Sequence, residues 1–290
     1  MKKISPWIYA ARPKTLTASI VPIVCAISIV PTDIVIKKNI LFFTFIAAII
    51  IQVITNYIND LYDFLKGSDK NRLGPDRMLQ SGLISIENMQ LGISILFVLA
   101  VIAGLPLVLH GGWPILTIGL SSFLFAYMYT AGPVPLAYNG LGDLFVFLYF
   151  GLIAVSGTYY LQTGFFDQNS IWLGCSIGLK NVILLCVNNF RDYEEDKKNN
   201  KKTLIVFMGK SFGKIQIIMI MILSYYCLYK LSILLEEKLS FYIFTISMPL
   251  AIMIIFDILN KKSSDLNKTL AKASLLLLTN AILIVIGTQI

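Results

Sequence analysis

The chain has 290 residues, of which 57% are hydrophobic and only 14% charged, with a mean hydropathy of +0.76 and a formal net charge of +8. A soluble domain of this size carries roughly 25% charged residues, so the composition speaks against a soluble fold, and no polar stretch is long enough for a separate soluble domain; residues 1–290 read as one membrane-embedded domain. The alternating ten-residue segments of an outer-membrane barrel are absent, and the positive charge comes without the aromatic interleaving or motifs of a nucleic-acid binder.

Apolar stretches of about 18 or more residues with few charges read as transmembrane helices. The first, 16–36, follows a segment carrying Lys2, Lys3, Arg12 and Lys14; it is long, contains Pro22 and lacks a small-residue cleavage site, so it reads as a span and not as a removable signal. The second, 40–59, ends in "NYINDLYDFLKGSDK" (56–70), which brings Asn56, Asn59, Asp60, Asp63 and Asp69 to the edge of an apolar run, followed by Lys70, Arg72 and Arg77. Spans at 91–109 and 115–130 flank "HGGWP", where His110 has no expected chemical role. An uncharged loop, "YTAGPVPLAYNG" (129–140), presents Tyr129 and Tyr138 before the span 141–162. Asp143 opens that span, either as a helix N-terminal charge favoured by the macrodipole or as a functional carboxylate.

The span 171–190 contains Lys180, about 12 residues or roughly 18 Å from Asp192. A bare lysine at that depth is costly, so it is expected to snorkel, to face a polar cavity or to pair with an acid. The run ends in "NNFRDYEEDKKNNKKT" (188–203), a second cluster containing Asn188, Asn189, Arg191, Asp192, Asp196 and Lys202. Spans at 214–235, 240–258 and 271–289 complete about nine, giving an all-α integral membrane protein. Cys25, Cys175, Cys186 and Cys227 lie in apolar runs without a CxxC pair and read as structural thiols.

Positive residues concentrate on the cytoplasmic side of short loops. Counted over alternate loops, one side of this chain holds 19 Lys and Arg and the other holds 3. The N-terminus is therefore expected in the cytoplasm of a cell with the chain in its inner (plasma) membrane, and with nine spans the C-terminus is expected on the far side. Both acidic clusters then fall at the cytoplasmic exits of helices two and six, an agreement that the span count does not impose.

On a helix advancing about 100° per residue, Asn56, Asp60 and Asp63 lie within roughly 60° of one another, and Asn188, Asn189, Asp192 and Asp196 within roughly 100°. Each cluster thus offers oxygens on one face. Carboxylates so close stay ionised beside cations, and a few hard oxygen ligands with room for water suit Mg²⁺ shared with substrate phosphates. Two such clusters are expected to hold about two ions around a diphosphate. The plainer reading, solvated loop charges just outside the bilayer, accounts poorly for two clusters with Asn one turn before Asp. Lys70, Arg72, Arg77, Arg191 and Lys202 stand close enough in sequence to help neutralise the phosphates, or serve as topology signals and headgroup contacts.

The pattern NxxxDxxD at the end of helix two and DxxxD at the end of helix six resembles the UbiA superfamily of intramembrane aromatic prenyltransferases, over the whole chain. The segments "AARPKTL" (10–16), "NDLYDFLKGSDK" (59–70), "GLGDLFVFLYFGLIAVSGTYYLQTG" (140–164) and "VNNFRDYEEDKKNNKKTL" (187–204) look most like the branch that prenylates 1,4-dihydroxy-2-naphthoate in menaquinone synthesis. The resemblance implies a nine-helix bundle with a cytoplasm-facing active-site cavity. Asn56, Asp60 and Asp63, with Asp69 as a further candidate, would hold one Mg²⁺-diphosphate edge, and Asp192 and Asp196 with Asn188 or Asn189 the other. It further implies ionisation of the allylic C–O bond, attack by the naphthoate ring, loss of CO₂, and an apolar groove open to lipid for the isoprenoid tail. Arg12 is a candidate for the acceptor carboxylate, and Asp143 for orienting the acceptor or assisting proton removal. Relatives often carry a basic residue in the loop between helices four and five; this chain has none, which leaves Tyr129 and Tyr138 to hydrogen-bond there. Tyr127, Tyr159 and Tyr160 are further candidates for stabilising a cation through their rings. Prenyl transfer to 4-hydroxybenzoate or a related acceptor is the alternative within the family. A polytopic transporter is the alternative outside it, although acids gathered at one membrane face fit transport poorly.

Overall fold

The computed structural model describes residues 5–68, 76–236, 238–261 and 265–289. Among the described residues the chain is helical, and its only β contact is an isolated bridge between Asn139 and Lys202. In chain order the helices are α1 (Ser5–Ala11), α2 (Thr17–Ser28), α3 (Lys38–Leu65), α4 (Ile86–Met128), α5 (Gly142–Thr163), α6 (Gln168–Arg191), α7 (Tyr193–Lys198), α8 (Leu204–Met208), α9 (Lys210–Leu234), α10 (Leu239–Asn260) and α11 (Leu266–Gly287). Side chains start several of them: Ser85, Asp167 and Thr203 each accept a hydrogen bond from the backbone N–H three residues on, satisfying an otherwise orphaned donor.

Among the described residues seven helices are long and apolar enough to cross a membrane, or eight if α1 and α2, bent by 45°, count as one span. With that pair counted as one span, the remaining difference from nine lies in α4. Gly112 sits at φ 66° and ψ −150° in the middle of that element, a backbone state that glycine enters without the Cβ penalty, and Pro114 follows. The Phe97 and Phe123 rings lie 4.6 Å apart, whereas 26 residues of straight helix would separate them by about 39 Å. The element is therefore a helical hairpin, and its two arms are the stretches 91–109 and 115–130 read from the sequence.

Apolar side chains cover the outside, as at Phe42, Leu109, Trp113 and Phe256, in keeping with a lipid-facing surface. The largest core cluster joins α2, α5, α6, α9, α10 and α11 through residues such as Leu173, Ile177, Ile217, Leu228 and Ile284, all fully buried. Where α5 crosses α6 the backbones nearly touch: a Cβ on Gly151 would stand 2.2 Å from Gly178 Cα and 2.6 Å from Gly174 O. Small residues permit such approach between membrane helices. A π-helical turn, Leu148–Leu152, lies at this crossing, and Asn181 of α6 donates to Phe150 O at 2.7 Å across it.

Among the described residues Lys180 neither snorkels, nor faces a polar cavity, nor pairs with an acid. It is 1% exposed in the core, donates to Ser176 Oγ at 2.8 Å and stands 5.0 Å from the centre of the Tyr225 ring. A hydroxyl and a ring face together take the place of those three expected settings. Of the four cysteines, Cys25, Cys186 and Cys227 are buried and Cys175 partly so.

One end of the bundle collects the C-termini of α3 and α6 and the N-termini of α5, α9 and α11. Four cross-links tie it together: Asn199 donates to Ser68 O, Lys202 N to Tyr138 O, Arg191 to Asn267, and Gln216 to Asp143.

Candidate active site

The acidic ends of α3 and α6 meet in a cavity of about 270 Å³ at this end of the bundle. Helix α3 contributes Asn56, Asn59 and Asp63; α6 and its continuation contribute Asn188, Asn189, Asp192 and Asp196; α5 contributes Asp143. The linker between α1 and α2 adds Arg12 and Lys14, and the end of α4 adds Tyr129 and Thr130. The linker is held in place locally: Arg12 takes a left-handed conformation at φ 51° just before Pro13, and Asn56 donates to Ala11 O at 2.8 Å and to Thr15 Oγ1 at 3.1 Å. The two clusters predicted from sequence thus share one cavity wall.

Each acid has a distinct setting. Asp63 accepts from Tyr138 Oη at 2.8 Å and pairs with buried Arg77 at 3.2 Å. Thr130 donates to Asn59 Oδ1. Asp192 is gripped by Arg191 through two bonds of 2.7 Å. Asp196 pairs with Lys201 at 3.4 Å; burial, offset in part by Lys201, pushes its carboxyl up to about 6. Tyr129 lines the same cavity as Asp143, Asp63 and Asp196, and a phenol, with an ordinary pKa of about 10, is a neutral hydrogen-bond donor in the middle of the acids.

Several residues sit elsewhere than the sequence suggested. Asp60 is 1% exposed and lies beneath the wall, its Oδ2 accepting from Met78 N at 3.1 Å. Arg191 is equally buried and spends its guanidinium on Asp192, Asn188 and Asn267, so it holds the cluster from behind instead of meeting a phosphate. Lys202 is exposed and uses its backbone to bridge Asn139; its neighbour Lys201 lines the cavity in its place. Tyr127 meets Tyr62 edge to face, while Tyr159 bonds Asp167 and Tyr160 bonds Gly111 O, outside the cavity wall. Asp69, Lys70 and Arg72 lie outside the described residues.

Lys201, Lys66 and Gln216 carry functional geometry that sequence reasoning passed over. Lys66 Nζ stands 4.1 Å above the Tyr138 ring and Lys201 Nζ 5.8 Å from it, so Tyr138 organises two cations beside Asp63. Loop residues such as Lys201 and Lys202 have no periodicity to say which one points inward. Gln216 did leave a signal, a polar side chain inside an apolar run.

Among the described residues Asp60 Oδ1 and Asp196 Oδ2 are buried with no hydrogen-bond partner, one orphaned carboxylate oxygen in each cluster. Such atoms are costly unless a cation or water meets them. Among the described residues no three His, Cys, Asp or Glu side chains converge into a ready-made metal cage. One or two carboxylates with space for phosphates and water is the donor set that suits Mg²⁺, so the residues present fit that ion.

A second cavity of about 230 Å³, almost wholly apolar, continues from the first between α2, α3, α4 and α5; Gln52, Thr55, Tyr129, Val146 and Phe150 line both. An ionic pocket opening into a hydrocarbon groove suits an amphiphile with a charged head and a greasy tail.

Residues 19–280 match the family model described as the UbiA prenyltransferase family. The chain is 31% identical to 1,4-dihydroxy-2-naphthoate octaprenyltransferase of Haemophilus influenzae, over 100% of this chain and 97% of the relative. It is 33% identical to the enzyme of the same name from Escherichia coli, over 72% and 70%. It shares its fold with a UbiA homolog from Archaeoglobus fulgidus solved with GPP and Mg²⁺, at a TM-score of 0.65, 15% identity and coverage of 96% and 99%.

Proposed function

The chain belongs to the UbiA prenyltransferase family and is a prenyltransferase, and on that footing we propose that it transfers a polyprenyl group from polyprenyl diphosphate to 1,4-dihydroxy-2-naphthoate. Diphosphate and CO₂ leave, and demethylmenaquinone is the product. The observation that carries this reading is the junction of the two cavities, acids and cations at one end and hydrocarbon at the other. The names of the relatives support the naphthoate acceptor.

Asp63, Asp192 and Asp196, with Asn56, Asn59, Asn188 and Asn189 around them, surround the diphosphate head and would hold about two Mg²⁺ ions. Asp60 and Asp196 offer the orphaned oxygens. When bound, Mg²⁺ neutralises charge on the departing diphosphate. Lys201 and Lys66 supply positive charge beside the same site, and Tyr129 donates a hydrogen bond to the leaving oxygen, a preorganised donor of the kind that lowers barriers in dry sites. Arg12 and Lys14 attract the acceptor carboxylate. The tail lies along Ala100, Leu107 and Ile153 in the apolar groove, which bilayer lipid borders. The chain crosses the inner membrane nine times, counting both arms of α4, with the N-terminus and the cavity on the cytoplasmic side and the C-terminus opposite.

The test is an acceptor panel. Purified protein in lipid, given polyprenyl diphosphate, Mg²⁺ and either dihydroxynaphthoate or 4-hydroxybenzoate, is read by mass spectrometry. The expected product is decarboxylated prenyl-naphthoquinone, formed only with Mg²⁺. Prenylated hydroxybenzoate alone would move the acceptor assignment, and absence of diphosphate release would refute prenyl transfer.

A further inference from the structure

Asp143 differs from the other acids of the cavity. Asp63, Asp192 and Asp196 each pair with a basic side chain, whereas the partners of Asp143 among the described residues are neutral. Gln216 Nε2 of α9 donates to its Oδ2 at 2.5 Å, and the Cys186 thiol of α6 approaches the same oxygen at 3.7 Å. Both bonds end on Oδ2, and Oδ1 takes no hydrogen bond from the described residues. A carboxylate held by neutral donors keeps more affinity for a proton than one facing a guanidinium. Position adds to this. Asp143, Val146 and Phe150 lie one and two turns apart on a single face of α5, and that face runs from the polar cavity into the apolar one. A flat ring laid on Val146 and Phe150 presents its edge to Asp143.

We propose that Asp143 Oδ1 receives the ring hydroxyl of the aromatic acceptor and acts as its base, with Gln216 as the positioning residue that turns the carboxylate towards the ring. The proposal rests on the prenyl-transfer reading above. The negative charge of Asp143 also repels the acceptor carboxylate, which therefore points towards Arg12 and Lys14 on the same cavity, so the two ends of the acceptor are sorted by charge. As the ring carbon that bears the carboxylate attacks the allylic carbon, a C–C bond forms, the allylic C–O bond breaks and its electron pair leaves on the diphosphate. The hydroxyl proton passes to Asp143 and the ring takes a keto form. Loss of CO₂ returns the electron pair of the broken C–C bond to the ring, and Asp143 gives the proton back to the carbonyl oxygen. No proton is gained or lost overall, and no oxidant enters.

The test compares wild type, Asp143→Asn and Gln216→Leu on an acceptor and on its methyl ether, with the hydroxyl beside the carboxylate blocked. Wild type should prefer the hydroxyl form by about 10²-fold in kcat/KM, the lower range for a positioned general base. Asp143→Asn should lose that preference: activity on the hydroxyl acceptor falls about 10²-fold, activity on the ether stays near wild type, and KM for polyprenyl diphosphate does not move. Gln216→Leu should lose about tenfold with the same pattern, and it decides the matter if Asp143→Asn fails to insert. Equal losses on both acceptors, or a raised KM for the diphosphate, would overturn the role. If wild type uses a different hydroxylated ring acid, the naphthoate reading fails while the same cycle with that acid and its ether still judges Asp143. Transfer to no hydroxylated ring overturns both.

Discussion

Replacing Gly151 with alanine tests how the crossing of α5 and α6 sets the site. The new Cβ would meet Gly178 Cα at 2.2 Å, Gly174 O at 2.6 Å and Gly178 N at 2.6 Å. These are backbone atoms, so no rotamer change relieves them, and the helices must part by about 1 Å to restore ordinary contact. Overpacking of a tight site costs about 1–3 kcal/mol, and the rigid neighbours place this one at the upper end. The Asn181 bond to Phe150 O spans the same crossing and adds about 1 kcal/mol when stretched. The expected loss is therefore about 3–4 kcal/mol, seen as a lowered thermal midpoint in detergent. Because α5 carries Asp143 and α6 carries Asn188 and Asp192, a shift of that size should also cut the turnover rate by about 10²-fold. Gly157→Ala is the control, since its Cβ would meet only the flexible tip of Ile118 at 3.3 Å. A Gly151→Ala protein as stable and active as Gly157→Ala would refute the reasoning.

Arg191→Met removes both bonds to Asp192 and those to Asn188 and Asn267; a loss of about 3 kcal/mol follows, at the low end for a broken buried pair because Asp192 reaches the cavity, with partial recovery in Arg191→Lys on thermal unfolding. Lys180→Met removes a buried amine with no carboxylate at hand, and should leave activity intact while holding or raising the thermal midpoint; a large loss of product would show that the amine has a role in turnover. Asp196, raised to about 6 by burial, binds a proton more tightly in the fold than in the unfolded chain. Without Mg²⁺, stability should therefore rise by up to about 3 kcal/mol as pH falls through 6 towards the ordinary carboxylate value. Mg²⁺ affinity should move the opposite way, weakening below pH of about 6, and calorimetric titration at two pH values checks the sign.

The helical arrangement and the meeting of two acidic clusters were legible because apolar length and helical periodicity act locally. Asn56 and Asp63 could be placed on one face of α3 from spacing alone. The hairpin at Gly112 was readable as two spans, since "HGGWP" interrupts the apolar run, where the backbone leaves the helical region at Gly112. What spacing could not give was depth and direction. Asp60 and Asp63 share a face, yet one is buried against Met78 N and the other reaches the cavity with Tyr138 and Arg77, because Met78, well beyond the end of α3, closes over the first. Arg191 looked available until Asn267, far along the chain, closed on it. The choice of Lys201 over Lys202 depends on the bridge to Asn139, a tertiary contact with no local signature. Lys180 shows the same limit, since its ring and hydroxyl partners come from tertiary packing and helix register together.

The central claim is that the two acidic clusters act together on one diphosphate. Membranes carrying wild type, Asp60→Ala or Asp192→Ala, supplied with dihydroxynaphthoate, polyprenyl diphosphate and Mg²⁺, test it most directly when product is read by mass spectrometry. The account predicts prenylated, decarboxylated product from wild type and none from either variant, with all three proteins present in the membrane at similar levels. Near-normal product from both variants would contradict it.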